Sequence, residues 1–128
     1  MSARFELPGF AGTLIHPEDA EYDEARAVFN GMIDRKPAVI ARCANPADVA
    51  VAIAFARQFE LLLAVRSGGH SFPGHSMCEG GMVIDLAGMR DVRVDAARQT
   101  ATVQPGAWVT DVDSKTLPLG LATTMGQI

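Results

Sequence analysis

Apolar positions along the chain fall into short runs broken by glycine, proline and acidic residues. Ala38-Val39-Ile40-Ala41, Leu61-Leu62-Leu63-Ala64-Val65 and Met82-Val83-Ile84-Asp85-Leu86 read as buried strands. Between the first two, Asn45-Pro46-Ala47-Asp48 carries a helix start: an Asn cap, Pro at the first helical position and an acid at the third. That helix runs to about Phe59, with Val49, Ile53 and Ala56 on one face and Ala50 and Ala54 alongside. Residues 38–66 therefore form a strand–helix–strand unit, which implies parallel pairing and a right-handed crossover. Asp85 is the polar exception in its strand. A buried carboxylate there needs hydrogen-bond donors; it braces the next loop or simply ends the strand.

Upstream, residues 1–16 read as an irregular lead-in. Pro17-Glu18-Asp19 starts a helix, Tyr22, Ala25, Arg26 and Phe29 follow at helical spacing, and Asn30-Gly31 stops it. Downstream, Val92-Arg93-Val94-Asp95 and Ala101-Thr102-Val103-Gln104 alternate in polarity across the polar stretch Ala96 to Gln99, the pattern of a β-hairpin. Pro105-Gly106 breaks the chain, Trp108, Val109, Val112 and Asp113 indicate a short helix to about Leu117, and Pro118 to Leu121 form a turn. The layout is α+β: a βαβ piece followed by antiparallel strands. A lead-in and helix occupy 1–34 and the main domain 35–128. Trp108, the phenylalanines, Met77, Met82, Met89, Met125 and the Cys43 thiol are expected in the core, and His16 at the surface.

Composition narrows the picture. The 128 residues are 48% hydrophobic and 20% charged, the profile of one globular domain. The formal net charge is −4, from 11 basic and 15 acidic residues, and the tightest basic grouping is Arg35-Lys36. A nucleic-acid partner, which would need a basic stripe, is not expected. Neither is a membrane partner, because the longest apolar stretch is Leu61 to Val65. The N-terminus has no signal-peptide pattern, and Cys43 and Cys78 lack C-x-x-C spacing, so a reduced, cytoplasmic protein is expected. His70, His75 and Cys78 are zinc-capable, but H-x4-H-x2-C has no evident fourth ligand, and no metal is expected.

The chemistry concentrates in Arg66-Ser67-Gly68-Gly69-His70-Ser71, directly after a buried strand. Two consecutive glycines open backbone conformations closed to other residues. Successive N–H groups can then converge on an anion such as a pyrophosphate. The strand delivers this loop to a carboxyl edge, where ligands of parallel sheets sit. Ser67 and Ser71 add hydroxyls and Arg66 a positive charge. By spacing alone the segment is either such a nest or a plain tight turn, and His70 either a site residue or a turn histidine.

Arg66 to Phe72, then Gly80-Gly81-Met82-Val83-Ile84-Asp85-Leu86 and Met89, resemble the berberine-bridge-enzyme-like FAD-linked oxidases. These oxidases share a PCMH-type flavin-binding fold with vanillyl-alcohol oxidase and p-cresol methylhydroxylase. Tyr22-Asp23-Glu24-Ala25-Arg26, Pro37 to Ala41, Asn45 to Val49, Val103-Gln104-Pro105-Gly106-Ala107 and Gly120-Leu121-Ala122 match in the same order. The resemblance runs from about Pro17 to the end of the chain.

It implies that Ser67 to Ser71 wrap the FAD pyrophosphate and that His70 bonds covalently to the flavin 8α-methyl. His75 lies near the flavin or solvent. A second, cysteine tether of many relatives falls where Ile128 stands, which implies a single bond through His70. The implied activity is hydride transfer from a small organic or carbohydrate substrate to FAD, with no catalytic base assigned here. The resemblance also implies a domain incomplete at Gly126-Gln127-Ile128. On that reading the chain alone binds FAD weakly, is inactive, and needs a missing C-terminal part or self-associates. A small anion- or metal-binding module is the alternative.

Overall fold

The computed structural model describes residues 4–126. It divides into two compact units, Met1–Gly88 and Met89–Ile128. The first contains β1 (Thr13–Ile15), α1 (Tyr22–Arg26), β2 (Val39–Arg42), α2 (Pro46–Gln58), β3 (Leu63–Arg66) and β4 (Met82–Asp85). The second contains β5 (Val92–Asp95), β6 (Thr100–Val103) and α3 (Val109–Thr116), followed by a 3-10 turn, Leu117–Leu119. The expected mixed α/β architecture is therefore present, with the hairpin and short helix where the patterning puts them.

In the first unit the sheet order is β1-β2-β4-β3. β2 and β3 each pair parallel with β4, and β1 pairs antiparallel with β2. The crossover is thus parallel as expected, but β2 and β3 are not neighbours, because β4 lies between them. Register partners share a sheet face, so Ile15, Ile40, Val83 and Ala64 line up in one row. That row, with Tyr22, Ala25, Met77 and Cys78, makes the hydrophobic core on the α1 side. Each fully buried aliphatic side chain there contributes about 1.5–3 kcal/mol. The Tyr22 hydroxyl donates to the Pro37 carbonyl at 2.6 Å and ties α1 to the start of β2.

α2 forms as its cap predicts: the Asn45 side chain accepts from the Asp48 N–H at 2.9 Å, and Pro46 takes the first helical position. Its buried face differs from the expected one. Asp48, Ala52 and Ala56 point inward, whereas Ile53 and Ala54 are exposed. The cause is Asp48, whose carboxylate accepts from the N–H groups of Ala11 at 2.8 Å and Ala44 at 2.9 Å. Those bonds fix the rotation of the helix, and small alanines then permit close approach to the sheet.

Other expectations are corrected by tertiary partners. β1 lies within the expected irregular lead-in, a three-residue strand completed by pairing with β2. α1 keeps only five residues, because Ala27 adopts an extended ψ of 140° and its carbonyl accepts from Arg66. β3 is an edge strand, so Leu62 and Val65 are exposed rather than buried.

His16 is buried, not superficial. Its Nε2 lies 3.2 Å from the Phe5 carbonyl, and its N–H donates to Asp19. Phe29, Phe59, Phe72, Trp108 and Met125 are exposed, while Met77, Met82 and Met89 are buried. Trp108 is covered by the Arg90 guanidinium, 4.1 Å from the ring centroid, which is in turn held by Asp111. Cys43 is buried, and desolvation, reinforced by Asp48 and Asp85, pushes its thiol up to about 11, so it stays protonated at neutral pH. In the second unit, Val92 of β5 and Val112 of α3 are buried and the two elements pack together. No helix of the described residues is long and apolar enough to cross a membrane.

Burial alone would raise the Asp48 pKa, but the N–H groups of Ala11, Ala44 and Gly12 outweigh it and hold the carboxyl below its usual range. Its stabilising contribution is therefore complete above the unfolded value, near ~3.9, and is lost as pH falls through the depressed folded value. Asp48→Asn should cost about 2 kcal/mol at pH 7. The cost should shrink below the unfolded value. Urea denaturation at the two pH values checks both, and equal losses would contradict the assignment.

Candidate functional site

Three strands of the first unit end in the same way: an apolar triplet and then a charge. Val39-Ile40-Ala41 precedes Arg42, Leu63-Ala64-Val65 precedes Arg66, and Met82-Val83-Ile84 precedes Asp85. The parallel register aligns all three charges, with Arg42 and Arg66 both opposite Asp85. Asp85 has no exposed surface. Its Oδ2 accepts from Arg42 Nε at 3.0 Å, its Oδ1 accepts from the Ala87 N–H at 3.0 Å, and Arg66 Nη1 stands 3.8 Å from Oδ1. The carboxylate thus both ends the strand and braces the turn at Ala87. A cleft of about 380 Å³ opens here, lined by Arg42, Arg66, Glu21, Glu24, Ala25, Ala27 and Val28.

The Gly-Gly loop leaves β3 at this edge. Among the described residues, the backbone N–H groups of Ser67, Gly68, Gly69, His70 and Ser71 donate to no acceptor in the chain. Five successive unspent donors are costly unless water or a ligand takes them, and they are what an anion nest requires. Gly69 has φ +71°, in the left-handed region. A Cβ there would sit 3.2 Å from Arg66 Nε, and a Cβ on Gly68 would sit 2.6 Å from His70 Cδ2.

The loop is held from outside. The Phe29 N–H donates to the Gly69 carbonyl at 2.9 Å, and Asn30 Nδ2 donates to the Phe72 carbonyl at 2.8 Å. The Ser71 hydroxyl accepts from the His75 N–H at 3.0 Å.

His70 is exposed, and its imidazole packs beside Phe29 with ring centroids 5.6 Å apart. Arg66 through Ser71 therefore lie together. His75 is exposed too, but its side chain lines a separate cleft with Arg35, Leu63, Met77, Cys78 and Glu79. No three His, Cys, Asp or Glu side chains converge as metal ligands among the described residues. Gln127 and Ile128, on which the single-tether expectation depends, lie outside the described residues. Arg42 and the anchoring pair Phe29-Asn30 are site residues that the local motifs do not reveal. The repeated pattern of an apolar triplet and then a charge is the sequence signal that points to Arg42.

Residues 37–127 match the family described as FAD binding domain. The chain is 32% identical over 127 residues to (R)-6-hydroxynicotine oxidase of Paenarthrobacter nicotinovorans, covering 98% of this chain and 28% of that protein. It superposes on the crystal structure of 6-hydroxy-D-nicotine oxidase from Arthrobacter nicotinovorans with a TM-score of 0.82 and 32% identity, over 87% of this chain and 24% of that one. A berberine-bridge-enzyme-like protein of Physcomitrella patens matches with a TM-score of 0.69 and 27% identity, over 73% of this chain and 21% of that one. The chain thus spans little more than a quarter of the length of the curated relatives it matches.

The two glycines differ in a testable way. Gly69→Ala meets both a left-handed φ and a packed guanidinium, and should destabilise by about 1–2 kcal/mol. Gly68→Ala meets only the far end of a side chain that can rotate, and should cost less than Gly69→Ala. Denaturant titration of both variants ranks them, and the reverse order would contradict the loop geometry.

Proposed function

Because the chain belongs to the FAD-binding domain family of FAD-linked oxidoreductases, with the PCMH-type fold of the berberine-bridge-enzyme-like oxidases, we propose that its Gly-Gly loop is the pyrophosphate-binding part of a flavin site and that His70 is the covalent flavin tether. The observation that carries the reading is the row of five unspent amides from Ser67 to Ser71. Those amides, with the Ser67 and Ser71 hydroxyls, would hold the diphosphate. The residues fit the group: the glycines leave no side chain between the donors and an approaching anion, and the exposed edge is polar.

His70 suits the tether because its imidazole is exposed at the loop, beside the Phe29 ring. A neutral imidazole nitrogen is a competent nucleophile. The tether would form at the 8α-carbon with loss of one methyl C–H proton, the two electrons left on the flavin passing to an external acceptor such as dioxygen. Bound FAD supplies a two-electron acceptor, and the protein supplies position and electrostatics. The substrate class is a small organic or carbohydrate molecule, oxidised by hydride transfer. No side chain of the described residues is assigned as catalytic acid or base. Tyr22, the one tyrosine, is spent on the Pro37 carbonyl.

Purified flavin-loaded protein should keep its yellow colour with the polypeptide after acid precipitation. His70→Ala should release it to the supernatant. Acid-stable flavin in His70→Ala would overturn the tether, and release from the unsubstituted protein would do the same.

A further inference from the structure

We infer that Arg66 serves the anion site as a positioning residue, by holding the Gly-Gly loop in shape from the buried Asp85, and not as a direct charge on the phosphates. This inference rests on the reading of Ser67–Ser71 as a pyrophosphate nest.

The contacts of the guanidinium within the chain point to the first role. A Cβ on Gly69 would be 3.2 Å from Arg66 Nε, 3.3 Å from Nη2 and 3.4 Å from Cζ. The two nitrogens are nearer that point than Cζ is, so the Nε–Nη2 side of the group packs obliquely against Gly69. Guanidinium N–H groups donate within the plane of the group. Two of them go to protein acceptors: Nη2 donates to the Ala27 carbonyl at 3.2 Å and Nη1 to the Ser67 carbonyl at 3.4 Å, with Nη1 also 3.8 Å from Asp85 Oδ1. Nε is buried without a hydrogen-bond partner. Nη1 and Nη2 are thus engaged by backbone carbonyls of the loop start and of the α1 end, while the Nε–Nη2 side packs against Gly69.

Each partner of Arg66 fixes a different part of the nest. Ser67 lies at its start, and Gly69 is the residue with φ +71°. Ala27 ends α1 and leads into Phe29, whose N–H reaches the Gly69 carbonyl. Asp85 is held in turn by Arg42. The row Arg42–Asp85–Arg66 therefore transmits the register of three strands into the direction of five amides.

The positioning role and a direct charge predict opposite results for two substitutions. Lysine at 66 keeps the charge but loses the flat fork. Asparagine at 85 removes a negative charge near the site, which should strengthen anion binding if Arg66 and Arg42 acted only as charges. Affinities of the purified chain for ADP-ribose, which contains the pyrophosphate, and for AMP, which does not, can be followed by 31P NMR.

The unsubstituted chain should prefer ADP-ribose, and Arg66→Lys and Asp85→Asn should each reduce that preference at least about tenfold, one charge-assisted hydrogen bond's worth. Far-UV circular dichroism verifies folding. If Asp85→Asn is unfolded, Arg66→Lys decides. A preference retained in Arg66→Lys, or increased in folded Asp85→Asn, overturns the inference. No preference in the unsubstituted chain overturns the nest itself, which is a separate outcome.

Discussion

With no accessible surface of its own, the Asp85 carboxylate must find its partners inside the protein, and it finds them on both neighbouring strands. A buried charge left unpaired would be far more costly than the pairing is worth, so this arrangement constrains more than it stabilises. It requires that β2, β4 and β3 end level with one another. A slip of one residue would turn Arg42 or Arg66 to the opposite face and leave Asp85 without that partner. The same register that satisfies Asp85 also aligns Ile40, Val83 and Ala64 two residues earlier, in the core row beneath α1. Polar pairing and apolar packing therefore select one alignment.

From that alignment the site is built in short steps. β3 ends at Arg66, so the Gly-Gly loop must begin at the carboxyl edge beside Asp85. The loop cannot continue the ladder, and its N–H groups are left without internal acceptors. α1 stops early and gives up the Ala27 carbonyl to Arg66, which brings Phe29 and Asn30 against the outer side of the loop. The shortened helix and the shaped loop are two sides of one interaction.

Local chemistry is legible in the sequence and long-range choices are not. The Asn45-Pro46-Asp48 cap, the hairpin around Ala96–Gln99 and the Gly-Gly loop are set by residues within a few positions of one another, and they stand where the patterning puts them. The insertion of β4 between β2 and β3 depends on pairing across the whole unit, which apolar runs do not encode. The rotation of α2 escapes the periodicity because Asp48 reads as a capping acid, whereas its carboxylate turns inward to Ala11, thirty-seven residues away. Residue type alone places Phe72 and Trp108 in the core, yet both are exposed. The need of Asp85 for donors is visible in its apolar strand, but only the folded chain shows that Arg42 and the Ala87 N–H supply them, with the Arg66 charge 3.8 Å away.

The central claim is that five backbone amides, held by a strand-end ion row, form the diphosphate part of a flavin site. It is tested most directly by 15N–1H correlation spectra of the labelled chain titrated with inorganic pyrophosphate. Saturable shifts should centre on the amides of Ser67, Gly68, Gly69, His70 and Ser71, and exceed those anywhere else in the unit. Shifts confined to other segments, with these five amides unmoved at saturation, would contradict it.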